Sequence, residues 1–384
     1  MFSRLLFSLL LLCCLKASAQ TTTLLAIKPR LQWPNANGYC GETSIQMCGL
    51  YYGNYISQTL CRTVAGGEVL IDVNDTAALA AFSFTYREWD PSATIPQYMN
   101  YLNWVKQYLQ KKQPVIITVY IKGLSDPDYD HIIPAIGYSA PSVSTYSGTD
   151  ALTYNSCFDT TSFTRAFSTL YDTRSMNGNG ATYDYCIPKN VNYGVAVTGI
   201  KDPGRKTKPV HIVLDSLDEP NVSLGASPRI VKAWITADSL TPGSAYALLR
   251  YNNYQTVPYT GFSPSTASAT VYFTAAGTQV TVKDSFLSNT GVFYRCIPYT
   301  ATTVTEAAPL PDFSLFPNPS SGNVTVILPE RATVLQVTNV VGQRVLEQQV
   351  NGLGTATLEL NTPGLYIVTV WVGSKSGMRK LIIH

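Results

Sequence analysis

From Val210 to Lys283 the apolar and β-branched residues fall in short runs, 210–214, 229–236, 245–251, 270–274 and 279–283, with Pro, Gly and Asn between them. Within these runs the apolar character alternates or is carried by β-branched side chains. Successive side chains of a strand point to opposite faces, whereas a helix repeats near every third or fourth residue. This stretch therefore reads as strands only. Short strands separated by turn residues imply a sandwich of two sheets.

Upstream, between about 24 and 204, the pattern is mixed. Ile45, Cys48, Gly49 and Tyr52 fall at helical spacing over 41–52, and Ile95, Met99, Leu102, Val105 and Leu109 line one face of a second helix over 95–110. The continuous apolar run 114–121 is that of a buried strand. Segments 131–138, 181–187 and 193–200 read as further strands, and the Ser/Thr-rich 141–150 as a loop. The expected order is thus an α+β domain (20–205), an all-β sandwich module (206–299), a Thr/Ala/Pro linker (300–312) and a last unit (313–384). In the last unit Tyr366, Val368 and Val370 alternate with Ile367 and Thr369, as in a small antiparallel sandwich.

Charged residues are only 13% of the chain, about half the usual share. Lys and Arg number 27 against 24 Asp and Glu, so no field attracts nucleic acid. The first 19 residues have the form of a secretory signal: Arg4, an apolar run over 5–15, then Ala17-Ser18-Ala19. Eleven apolar residues make about 16 Å of helix, against ~30 Å of hydrocarbon. No later run is long and apolar enough to span, so the mature chain is expected to be exported, without a transmembrane segment. The 20 residues from Gln20 to Tyr39 leave no room for an N-terminal inhibitory domain ahead of Cys40.

Six cysteines follow the signal: Cys40, Cys48, Cys61, Cys157, Cys186 and Cys296. Outside the cytoplasm the default is disulfides. Cys48 lies about 12 Å along a helix from Cys40, too far to bridge. Expected pairs are Cys48–Cys61 and Cys157–Cys186, with Cys40 and Cys296 free. There is no Cys-x-x-Cys pair and few His, so neither a metal nor an organic cofactor is implied.

Phe316-Pro317-Asn318-Pro319, the Gly364-Leu365-Tyr366 strand and the basic-then-apolar Lys380-Leu381-Ile382-Ile383 stand in order at the end of the chain. Residues 313–384 closely resemble the type A C-terminal sorting domain of the Bacteroidetes type IX secretion system. The resemblance implies passage through the periplasm and outer membrane, and engagement of the type IX machinery through this domain. Release into the medium or attachment at the cell surface would follow.

Asn37-Gly38-Tyr39-Cys40-Gly41-Glu42 places a Cys at the turn that opens a helix. The helix N-terminus favours thiolate, the nucleophilic form. Gly38 and Gly41 leave space for a substrate carbonyl, and the Cys40 N–H with the Gln32 amide would form an oxyanion hole. His131, at the head of a strand, is the one His in the same domain. A plain disulfide half for Cys40 and a turn residue for Asn155 are the bland alternatives.

Gln32, the Cys40-Gly41 helix start with Met47, the strand His131-Ile132-Ile133-Pro134-Ala135-Ile136-Gly137-Tyr138 and the strand end Thr153-Tyr154-Asn155 together resemble the C39-like, papain-fold cysteine peptidases. The resemblance implies a papain-like α+β fold. It implies Cys40 as nucleophile, His131 as general base, Asn155 as orienter of the imidazole and Gln32 as oxyanion donor, acting on a peptide or protein substrate. Asp150 and Asp159 compete with Asn155 for the third role. Ser156-Cys157 replaces the Asp-Pro usual after that residue. Two other readings stay open: a catalytically silent binding or adhesive surface protein, and a transglutaminase- or amidase-like acyl transferase.

Overall fold

The structure is a computed structural model and describes residues 20–33, 38–121, 131–159, 161–172, 185–215, 228–300, 312–351, 354–373 and 375–384. The expected signal segment, the first four residues of the expected strand 181–187 and most of the expected linker lie outside the described residues. The chain forms two compact units, Met1–Thr300 and Ala301–His384.

The first unit begins with β1 (Thr21–Leu24), α1 (Cys40–Tyr51) and β2 (Asn54–Ile56). Next come α2 (Gln58–Ala65), α3 (Asp75–Ala81), β3 (Phe84–Glu88), α4 (Tyr98–Gln110), β4 (Val115–Ile121), β5 (His131–Ala140) and β6 (Ala151–Asn155). Then follow β7 (Ser162–Ala166), α5 (Phe167–Leu170), β8 (Tyr171–Asp172), β9 (Tyr185–Pro188) and β10 (Gly194–Ile200). All nine strands outside β2 join one sheet of order β3-β10-β4-β5-β6-β7, with β1 paired to β5 and β9 to β4 and β8. The remaining strands are β11 (Val210–Leu214), β12 (Ile230–Ala237), β13 (Ala245–Tyr251), β14 (Ala269–Thr274), β15 (Val280–Leu287) and β16 (Gly291–Pro298).

These last strands form two sheets, β11-β12-β15 and β14-β13-β16-β2. The second takes its edge strand from the N-terminal part of the chain: Ile56 pairs Gly291 and Asn54 pairs Phe293. One core joins Ile45 and Cys48 of α1 and Phe84 of β3 to Leu249, Tyr251 and Phe293 of that sheet. His211 of β11 bonds the Tyr51 carbonyl at 2.6 Å, tying the other sheet to the end of α1.

The expected fold class is therefore corrected. The chain is mostly sheet, 44% strand against 16% helix among the described residues, rather than an α+β papain-like domain followed by separate sandwiches. The physical reason is the core: the helices between 40 and 110 do not close a body with their own sheet. Helices α1, α2 and α3 bury apolar surface against a second sheet as well, through Ile45, Cys48, Cys61, Ala78 and Leu79, while α4 packs on the first sheet.

The second unit comprises β17 (Ser314–Phe316), β18 (Asn323–Ile327), β19 (Val334–Asn339), β20 (Arg344–Gln349), β21 (Thr355–Glu359), β22 (Gly364–Val372) and β23 (Lys375–Ile383). They make two antiparallel sheets, β17-β18-β21 and β20-β19-β22-β23, around one core that includes Val326, Leu335, Val368 and Leu381.

Candidate functional site

Helix α1 is buried on every side from Gly41 to Leu50, so it is a core helix rather than an amphipathic one. Its first turn is clamped from α2. Arg62 Nε donates to the buried Glu42 at 2.6 Å, its Nη2 donates to the Gly38 carbonyl, and the guanidinium sits 3.5 Å from the Tyr39 ring centre. Glu42 is raised by burial against the opposing pull of Arg62. The glycines flanking Cys40 serve this clamp. A Cβ on Gly41 would meet the Val69 carbonyl oxygen at 2.3 Å, and Gly38 holds φ +54 with Glu68 at 2.2 Å from a Cβ position. On the side where a Cβ would stand, Gly41 abuts Val69 and Gly38 abuts the Glu68 side chain.

Cys40 keeps partial exposure, and the backbone N–H groups of Ile132 and Gly41 point at its sulfur. Burial of the sulfur dominates, and with Glu42 nearby it pushes the thiol up to about 12. His131 opens β5 one residue before Ile132, stacked face to face on Phe158 at 4.2 Å and 10°, with Tyr185 at 5.4 Å. Burial pushes its imidazole down to about 3, and its Nε2 is buried without a hydrogen-bond partner. At neutral pH both groups are uncharged, and no hydrogen bond joins them.

Asn155 is buried at the end of β6, but its carboxamide is spent elsewhere. Nδ2 donates to the Ile27 carbonyl at 3.0 Å and reaches the Met47 sulfur at 3.5 Å, while Oδ1 accepts from Ser162 at 2.7 Å. The competing carboxylates are engaged too. Asp150 pairs with Lys106 at 2.6 Å, both fully buried, and Asp159 accepts from the Thr161 N–H at 2.8 Å. Gln32 lies close through its backbone, its N–H donating to the Cys157 carbonyl at 2.8 Å, with its side-chain oxygen buried and unpaired.

Two side chains with no expected catalytic role stand at the centre. Ser44 Oγ donates to the Cys40 carbonyl at 2.8 Å, and Cys157 Sγ lies 3.9 Å from that same carbonyl. Cys157 is 117 residues from Cys40. The one sequence sign of it was the departure at Ser156-Cys157. No disulfide joins any of the six cysteines among the described residues, so the expected Cys48–Cys61 and Cys157–Cys186 bridges are not formed. Cys157 faces Cys40, Ser44 and Ile132 instead. Among the described residues no group of three or more His, Cys, Asp or Glu could hold a metal, and no helix is long and apolar enough to cross a membrane.

Residues 314–384 match the secretion system C-terminal sorting domain. That domain is present, and it directs the protein across the outer membrane to the cell surface or beyond. No curated protein matches the chain. Similar solved structures include HBP35 of Porphyromonas gingivalis, at 17% identity over 47% of this chain and 66% of that one, with a TM-score of 0.14. Another is the BSP domain of a biofilm associated protein, at 9% identity over 71% of this chain and 75% of that one, TM-score 0.16. A third is a tetra-tandem repeat from the extending region of a large adhesion protein, at 11% identity over 71% and 67%, TM-score 0.15. Scores this low carry no weight for fold or function. Nothing in these comparisons supports a C39-like peptidase domain.

Proposed function

We propose that this exported protein is a surface binding protein whose Cys40 centre is catalytically silent. One observation carries the reading: the imidazole of His131 is wedged against Phe158 while Asn155, its expected orienter, is held by Ile27, Met47 and Ser162. A general base needs its nucleophile within hydrogen-bond reach and a third group to orient it. A binding role also draws support from the outward face of β11-β12-β15. There Val213 pairs with Trp234 and Ile230 with Leu287, and all four are exposed. Lys232 and Ser285 stand between the two pairs on the same face, so the apolar surface is interspersed with polar groups of the kind that rim contact sites.

A cysteine peptidase is the second reading, with Cys40 as nucleophile, His131 as base, Asn155 as orienter and Gln32 as oxyanion donor. It draws support from the thiol at the start of α1 facing the Ile132 N–H. The test compares the reduced full-length protein with Cys40→Ala on a fluorogenic peptide library. Equal, background-level signal is expected. Turnover that disappears in Cys40→Ala would establish the peptidase. In parallel, adhesion of producing cells to protein-coated and polysaccharide-coated surfaces should fall in the Ile230→Ser/Trp234→Ser variant.

A further inference from the structure

The sulfurs of Cys40 and Cys157 share one strip of backbone. The N–H of Ile132 points at Cys40 Sγ, and the C=O of Ile132 lies 3.6 Å from Cys157 Sγ. In an antiparallel strand the N–H and C=O of one residue face the same side, so both thiols stand against one edge of β5. Ser44 closes the group, its Oγ 3.2 Å from the Ile132 carbonyl and 3.9 Å from Cys157 Sγ. The backbone at 157 is pinned by the Gln32 N–H at 2.8 Å.

We propose that the exported protein carries a Cys40–Cys157 disulfide, linking the first residue of α1 to the chain just beyond β6. The sorting tail takes the chain across the outer membrane, away from the reducing cytoplasm and into surroundings where such bonds form and persist. Cys40, the partly exposed member, loses its proton and attacks a sulfur of an incoming disulfide, and one thiol leaves. Cys157, fully buried, then attacks the Cys40 sulfur of the mixed disulfide and expels the second thiol. Two S–H bonds are exchanged for one S–S bond. The two electrons and both protons go to the incoming disulfide, which departs as two thiols.

The inference deepens the silent reading, since a bridged Cys40 has no thiol to act with, yet the two fail separately. Turnover by the reduced protein would overturn the silent reading and leave the bridge observable. The test takes full-length protein from the surface or medium of producing cells, blocks free thiols with iodoacetamide and digests it unreduced. Cleavage after Glu42 separates Cys40 from Cys48, and cleavage after Lys122 and Arg165 isolates Cys157. The expected product is one linked pair holding Cys40 and Cys157, which separates on reduction. In Cys157→Ser, Cys40 should then be alkylated. Alkylation of both cysteines in the wild-type protein, or either one bridged to a different cysteine, overturns the proposal.

Discussion

Replacing His131 by Gln isolates the electrostatic state of the candidate base. An unfolded His titrates near 6.5, whereas burial holds the folded imidazole down at about 3. Between those values the unfolded chain binds the extra proton, so stability rises with pH. The contribution is complete above about 6.5 and is lost as pH falls through the folded value. Near pH 4.5, two units below the ordinary His value, the loss is about 2.7 kcal/mol at ~1.36 kcal/mol per unit. Asp75 works the other way: burial, then Glu88, raises it to about 6, so its contribution is present at low pH and lost as pH rises through about 6. Asp75 is the same in both proteins and cancels in the difference. The variant's own packing penalty does not depend on pH and cancels as well. Urea unfolding near pH 7.5 and 4.5 measures the effect, followed by fluorescence from Trp33, Trp89, Trp104 and Trp234 of the first unit. Wild type should lose about 2.7 kcal/mol more than His131→Gln on acidification. Equal losses would mean a solvated imidazole. A smaller loss in wild type would mean an imidazolium already paired with thiolate, which would refute the silent reading.

Lys106→Met should strand the Asp150 carboxylate in the core and leave the Ser142 and Thr145 carbonyls without their donor. A loss of about 3–5 kcal/mol is expected from the urea midpoint, mostly recovered in Lys106→Met/Asp150→Leu; a loss below ~1 kcal/mol would show the pair to be dispensable. Deleting residues 313–384 should leave the protein inside the cell envelope when surface and periplasmic fractions are immunoblotted, and its arrival at the surface would refute sorting by this domain.

What the sequence determined by itself is local. Helix α1 and helix α4 were legible from their spacing, and β11 to β13 and β22 from period-two alternation, because each pattern lies within one segment. The sorting tail was legible for the same reason, since its motifs stand in order within 314–384. The short elements β1, β2, α2 and α3 left no such sign. β2 is three residues long, and it exists because β16, more than 200 residues away, offers an open edge. That pairing draws the N-terminal helices onto a second sheet, and the mixed fold read from 24–204 fails for that reason. The site divides in the same way. The thiol at a helix start and the His at a strand head could be read from neighbouring residues. The orientation of Asn155 toward Ile27 and Met47, the stacking of His131 on Phe158 and the approach of Cys157 to Cys40 could not. Each is set by how a buried polar or aromatic group finds partners across the core, and such partners come from anywhere in the chain.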